Sequence, residues 1–262
     1  MKYVRKYWYL FPLVAVLSWL FATYRRAEAT RSPASQQAPS AVSPPEIPAI
    51  ITTGLKDSVF PRIFEAAFYP GTTASDQDDE TVTWSFEKFD CGKLNVESGK
   101  LIACDPINMT NAAPFVQKFP LGDFPVQLAI RSGDGDQTVA FSRIVFSEAP
   151  VVRWEVALQP GEKPQAISAG RHYCYSVDAA TGLYIDSAAN AAFDGSTYEQ
   201  VFIRELTKNQ RPHWSHVLHG FGTHNLAAFS TGHGDGCYSV YIGFDTQGHV
   251  CRLLTDFGLV AW

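Results

Sequence analysis

Residues 237–248 read CYSVYIGFDTQG, and this stretch decides the fold. Tyr238, Val240, Ile242 and Phe244 recur at every second position, the period of a strand with one face turned to a core. Asp245-Thr246-Gln247-Gly248 follows with the residue types of a tight turn, so the chain doubles back. Working outward, the same alternation recurs in Val82, Trp84 and Phe86, and in Val126, Leu128 and Ile130. It recurs again in Val152, Trp154, Val156 and Leu158, and in Tyr173, Tyr175 and Val177. Turn signals separate these runs at Ser98-Gly99, Leu121-Gly122-Asp123 and Gly133-Asp134-Gly135-Asp136. Two helices are expected. One starts near Ser58 with Val59, Phe60, Ile63, Phe64, Ala67 and Phe68 on one side, and the other near Thr197 with Tyr198, Val201, Phe202 and Leu206. Strands joined by tight turns imply an antiparallel sheet with helices laid against it, so the expected class is α+β, β-rich, a single antiparallel-sheet domain. No internal repeat is present.

The N-terminus has a different composition. Lys2, Arg5 and Lys6 precede an uncharged apolar run, Trp8 to Tyr24, and Arg25 and Arg26 follow it. Such a run is at the short limit of roughly 17–25 residues for a spanning helix. Trp8, Tyr9, Trp19 and Tyr24 lie toward its ends, as interfacial aromatics do. Ala27-Glu28-Ala29 offers a cleavage pattern, but the Arg25-Arg26 pair ahead of it favours an uncleaved anchor over a signal peptide. The expected division is therefore 1–29 transmembrane anchor or signal peptide, 30–48 linker rich in Pro, Ser and Ala, and 49–262 exported globular domain. Charge bias puts the N-terminus inside and the domain out. The expected location is the bacterial inner membrane, single-pass through residues 8–24, with the domain in the periplasm, or secreted if the segment is cut.

A formal net charge of −5, with no basic stripe, argues against a nucleic-acid partner. The run Asp76, Asp78, Asp79, Glu80 reads as a solvated acidic loop. Five cysteines in an exported chain invite disulfides. Cys91 and Cys104 flank the Ser98-Gly99 turn and are the expected bridge. Cys237 and Cys251 flank the Asp245–Gly248 turn without facing each other in a simple register, and Cys174 is the odd one out. No C-x-x-C spacing suggests structural zinc, and nothing in the chain points to a cofactor.

The densest block that could carry chemistry is Gly232-His233-Gly234-Asp235-Gly236-Cys237-Tyr238, followed by Tyr241 and then Asp256-Phe257. Read as a site, His233, Asp235 and Asp256 converge at strand ends as catalytic candidates. Read structurally, Asp235 caps a turn that the glycines permit, and that reading is favoured. Gly133-Asp134-Gly135-Asp136 lacks the twelve-residue ligand pattern of a calcium loop and reads as a hairpin turn. His213, His216, His219 and His224 crowd a loop, where His216-x-x-His219 could pair on a helical turn, but no H-E-x-x-H pattern exists. There is also no G-x-S-x-G elbow.

Several blocks together resemble the uncharacterised, mostly bacterial family named domain of unknown function 4241. They are Gly99-x-x-x-x-Cys104-Asp105-Pro106, Gly122-x-x-Pro125-Val126 and Arg153-Trp154-Glu155-x-Ala157. Val177-Asp178 with Asp186 follows, and then the glycine block from Gly234 through Tyr238, Tyr241, Gly243, Asp245 and Gly248 to Asp256-Phe257. The chain departs from the family pattern at Ala179-Ala180, where an Asp-Ala-Gly run is expected. The resemblance implies that these blocks belong together and supplies no reaction. It makes Asp105, Asp178, Asp186, Tyr238 and Tyr241 binding candidates, since carboxylates meeting at one cleft could hold a ligand or a divalent cation.

Without a complete catalytic constellation, the expected function is a membrane-tethered periplasmic protein-binding module, of the kind that acts as an immunity-type inhibitor of a toxin or envelope enzyme. Six Trp and eleven Tyr supply rings for an interface with a protein partner. The alternative is an exported hydrolase built on the glycine block; a third reading is an envelope scaffold.

Overall fold

A computed structural model describes residues 55–133, 135–168 and 172–261. The expected membrane segment Trp8–Tyr24 and the linker 30–48 lie outside the described residues. Among the described residues, no helix is long and apolar enough to cross a membrane.

The quoted stretch folds as expected. Its strands are β11 (Gly236–Phe244) and β12 (Val250–Asp256), which pair antiparallel. Asp245 shapes the turn between them by accepting the N–H groups of Gln247 and His249 at 2.8 and 2.9 Å. The preceding strands are β1 (Thr73–Ser75), β2 (Thr83–Val96), β3 (Leu101–Cys104), β4 (Gly122–Gly133) and β5 (Asp136–Val145). They are followed by β6 (Arg153–Val156), β7 (Cys174–Val177), β8 (Thr181–Asp186), β9 (His216–Phe221) and β10 (His224–Ser230). All pairs are antiparallel, but they form two sheets rather than the single one expected. The larger runs β1-β2-β4-β5-β12-β11-β6, with β7 also on β11, and the smaller runs β3-β8-β10-β9.

The second sheet arises at Ser98-Gly99. That turn does not fold β3 back on β2; it passes the chain to another layer, where β3 pairs with β8 while β2 pairs with β4. The smaller sheet is buried on both faces, and its alternation sorts residues between two layers. Tyr184, Ala227 and Phe229 enter the main core with the larger sheet. Leu183, Ile185, Leu226 and Ala228 enter an outer cluster with Val201, Phe202 and Leu206. Those last three come from a π-helical turn, Glu199–Glu205, that runs into the short α3 (Leu206–Lys208). Ahead of that turn, α2 (Ser187–Ala192) adds Ala189 to the same cluster.

The first helix is shorter than the sequence suggests: α1 spans Ile63–Ala66. Residues 58–60 are held extended instead, because Val59 donates to the Ile167 carbonyl at 2.7 Å and Ser58 Oγ accepts from Ile167 N–H. Phe64 still anchors α1, with ring centroids 5.7, 5.4 and 4.8 Å from Phe141, Trp154 and Tyr241. Leu121-Gly122-Asp123 is no turn, since Gly122 and Asp123 begin β4 opposite Val96 and Asn95. The Gly133–Asp136 turn does close a hairpin, between β4 and β5.

One buried polar contact joins the sheets. The Tyr184 hydroxyl sits 2.8 Å from Ser142 Oγ, 2.7 Å from Thr255 Oγ1 and 3.2 Å from the Ser142 carbonyl. All three residues are fully buried. Burial pushes the phenol well above its ordinary pKa, so it stays a neutral donor and acceptor.

The disulfide expected between Cys91 and Cys104 does not form. Their strands belong to different sheets, and the bridge joins Cys174 to Cys237, with Cα atoms 5.4 Å apart on the adjacent strands β7 and β11. Cys91, Cys104 and Cys251 are free thiols, each pushed by burial up to about 12.

Replacing Tyr184 by Phe keeps the ring against Phe229 and leaves two buried hydroxyls short of a partner. Urea unfolding of Y184F is expected to show a loss of about 1–3 kcal/mol; no change would remove the seam from the stability of the fold. Non-reducing peptide mapping is expected to recover Cys174 linked to Cys237, with the other three thiols alkylated only after denaturation. A recovered Cys91–Cys104 peptide would overturn the assignment.

Candidate functional site

The glycine-rich block joins β10 to β11, and its path needs residues without side chains. Gly232 has φ +47°, and a Cβ there would lie 3.0 Å from the Phe257 side chain. Gly234 has φ +110° and donates to the Thr231 carbonyl at 2.6 Å, while its own carbonyl accepts from Thr231 Oγ1 and the Tyr238 hydroxyl at 2.8 and 2.7 Å. This tight loop aims His233 and Asp235 outward, where both are exposed.

Beside the loop lies a groove of about 690 Å³. Five of the candidate residues line it: His233, Asp235, Tyr238, Tyr241 and Asp256. Gln77 and Glu80 close it from the loop before β2, and Cys237 adds one half of the disulfide. Tyr241 is almost wholly buried; burial first, and then the Asp256 carboxylate, pushes its phenol up. Asp256 accepts from the Gly258 N–H at 2.8 Å.

Asp105, Asp178 and Asp186 do not line this groove. Asp105 is fully buried and accepts three backbone N–H groups, from Ile107 at 2.7 Å, Asp178 at 2.7 Å and Ala179 at 2.8 Å. Asp235 accepts the next one, from Ala180 at 3.0 Å. Two carboxylates thus grip the turn 178–180 between β7 and β8, the place where the sequence departs from its family pattern. Ala180 holds φ +49°, a conformation that suits the glycine expected there. Asp178 is exposed and takes part through its backbone. Asp186 caps α2 through Ala188 N–H at 2.8 Å and accepts Ser98 N–H at 3.0 Å, so it fixes the turn into β3.

The sequence reading missed the groups behind His233. Arg131, buried on β4, donates through Nη1 to Asp76 Oδ2 at 2.7 Å and to the Leu259 carbonyl at 3.1 Å. Its Nη2 lies 3.1 Å from His233 Nε2, and its guanidinium stacks 4.2 Å from the Trp84 ring centre. A guanidinium can only donate, so Nε2 accepts and the ring proton of His233 sits on Nδ1. Trp84 Nε1 also donates to Asp76, at 2.8 Å. Burial raises the Asp76 carboxyl, but the donors Asp78 N–H, Trp84 and Arg131 outweigh it and hold the group at about 2. Asp76 is therefore a half-buried anchor rather than part of a solvated acidic run; Asp78, Asp79 and Glu80 remain exposed. Only the acidic run hinted at this cluster, because the sequence separation of 55 between Asp76 and Arg131 hides the pairing.

The expected histidine loop is a hairpin of β9 and β10, so His216 and His219 do not share a helical turn. His219 meets Glu205 at 2.8 Å and His224 meets Glu97 at 3.0 Å, on separate elements. Among the described residues, no group of three His, Cys, Asp or Glu side chains is placed to hold a metal ion. What the groove offers is an exposed polar rim over largely buried aromatic rings. Its imidazole is hydrogen-bonded to an arginine, and its carboxylates are engaged by backbone amides.

Residues 94–255 match the family described as Protein of unknown function (DUF4241). No curated protein and no solved structure matches the chain.

The turn between β7 and β8 yields a paired test by denaturant titration. Ala180→Gly relieves the left-handed conformation and is expected to add roughly 0.5–1 kcal/mol of stability. Asp105→Ala leaves three backbone N–H groups without their acceptor and is expected to remove at least about 2 kcal/mol. Equal, negligible effects would mean that the carboxylate grip does not hold the turn.

Proposed function

The chain belongs to the DUF4241 family, whose description names no reaction, and from that premise we propose that residues 55–261 form a protein-binding module. In this reading the module is carried on the N-terminal segment into the periplasm and acts on a protein partner as an immunity-type inhibitor would. One observation carries it: four carboxylates of the family blocks are hydrogen-bonded to backbone amides, with Asp105 accepting from three, Asp186 from two, and Asp235 and Asp256 from Ala180 and Gly258. Groups held in this way shape a surface and hold it rigid. The groove that Asp235 and Asp256 line, with Glu80 and Gln77 exposed at its mouth and tyrosine rings beneath, has the polar rim and aromatic interior of a docking site.

The hydrolase reading keeps one observation in its favour, the convergence of His233, Asp235 and Asp256 on a single groove. Against it, the acceptor nitrogen of His233 is occupied by Arg131, and Asp235 Oδ1 is occupied by Ala180. General-base catalysis needs a free acceptor within reach of the substrate proton.

The full chain, immobilised and exposed to the envelope and secreted proteins of its own host, is expected to retain one stoichiometric protein. Glu80→Lys reverses an exposed charge at the groove mouth and is expected to weaken that retention at least tenfold with unfolding unchanged. Retention of nothing, together with turnover that vanishes in Asp235→Asn, would replace this reading with the hydrolase.

A further inference from the structure

A second cavity, of about 460 Å³, opens on the larger sheet beside α1. Arg143 on β5 and Arg252 on β12 both line it, and both are at least nine-tenths buried, at 5% and 3% exposed. Arg252 lies opposite Val145 in the ladder, so it and Arg143 are diagonal neighbours on one sheet face. A single carboxylate stands between them. Glu65 Oε1 accepts from Arg143 Nη1 at 3.0 Å and from Arg252 Nε at 3.2 Å.

The remaining bonds are equally specific. Arg143 Nε donates to Gln127 Oε1 at 2.9 Å, and the guanidinium stacks 3.8 Å from the centre of the Phe68 ring. Arg252 Nη1 donates to the carbonyls of Cys251 and Ser147. Among the described residues, neither Nη2 has a hydrogen-bond partner, although every other nitrogen of the two guanidinium groups has one. Burial holds Arg143 below the ordinary guanidinium value, opposed by Glu65 and reinforced by Arg252, yet a guanidinium stays charged in a protein. Two buried cations therefore face one half-buried anion, an imbalance that is expensive to leave uncompensated. Of the other charges at the cavity, Lys88 pairs with Asp90 at 3.6 Å, and Glu87 and Glu148 are exposed. The apolar wall comes from Phe68, Phe86 and Val145.

We propose that this cavity is a binding site for a small monocarboxylate with an apolar or aromatic body, its carboxylate received by the free Nη2 groups of Arg143 and Arg252. The two guanidinium forks suit a planar carboxylate, and a monoanion balances the buried charge. A phosphate dianion would exceed it and meet Glu65. The ring or chain of the ligand then lies on Phe68, Phe86 and Val145.

Calorimetric titration of the full chain tests this with phenylacetate, its neutral isostere phenylacetamide, and inorganic phosphate. Phenylacetate is expected to bind saturably at one site, with phenylacetamide and phosphate each at least tenfold weaker. Glu65→Gln removes the internal anion and is expected to tighten phenylacetate at least tenfold, whereas Arg252→Lys weakens it by a similar factor. The comparison of acid with amide uses the unaltered chain, so it stands even where a variant fails to fold. Absence of saturable phenylacetate binding, equal affinity for acid and amide, or tighter binding of phosphate would each overturn the proposal.

Discussion

A single buried hydroxyl sets the alignment of this molecule. Tyr184 lies at the centre of the smaller sheet, and its phenol can be satisfied only where Ser142 and Thr255 of the larger sheet meet it. Apolar side chains would tolerate some sliding of one sheet over the other, because dispersion and burial are non-directional. A phenol buried in that interface does not tolerate it, since a shift of a residue would leave three polar groups unpaired. Much of the site geometry follows from that register. β8 starts directly after the turn 178–180, β7 leads into that turn, and β7 pairs with β11. The glycine loop at the start of β11 and the groove beside it therefore sit where the seam puts them.

The carboxylates take their meaning from this arrangement. Asp105 from one side and Asp235 from the other close on a turn of three residues, and Asp186 does the same for the entry to the smaller sheet. They act as caps, Asp105 and Asp186 buried and Asp235 exposed, where the backbone runs out of ladder partners. Motif residues of this type attract attention as catalytic candidates because acids at strand ends often are catalytic. Here the same positions are explained by the need to satisfy amides at three sharp changes of direction.

What the sequence made legible was local. The β11–β12 hairpin could be read because Tyr238, Val240, Ile242 and Phe244 alternate with Ser239, Tyr241 and Gly243, and its turn carries Asp245 and Gly248. The second sheet could not, because Leu183, Tyr184 and Ile185 are all buried and a strand covered on both faces loses its period-two signature. Non-local pairings were hidden for another reason. Cys91 and Cys104 lie either side of a turn signal, yet the turn changes layers; Cys174 and Cys237 are 63 residues apart and meet only once β7 has found β11. Ser58 to Phe60 carry helical apolar spacing but are pulled straight by Ile167, a partner more than a hundred residues away. In the groove, His233, Asp235 and Asp256 were legible from composition, while Arg131 was one more residue in a buried strand until Asp76 and His233 were placed around it.

The disulfide has a topological consequence. Cys174 and Cys237 are the neck of a covalent noose that encloses β8, β9, β10 and the helical layer, all of the smaller sheet except β3. In chain-entropy terms, closing a loop of that size removes about 4 kcal/mol of freedom from the unfolded chain. The neck of the noose is pinned to the larger sheet at the groove, where β7 pairs with β11. Whatever docks in that groove therefore meets a wall anchored by a covalent bond, whereas the helices on the far side of the smaller sheet are held by packing and hydrogen bonds alone.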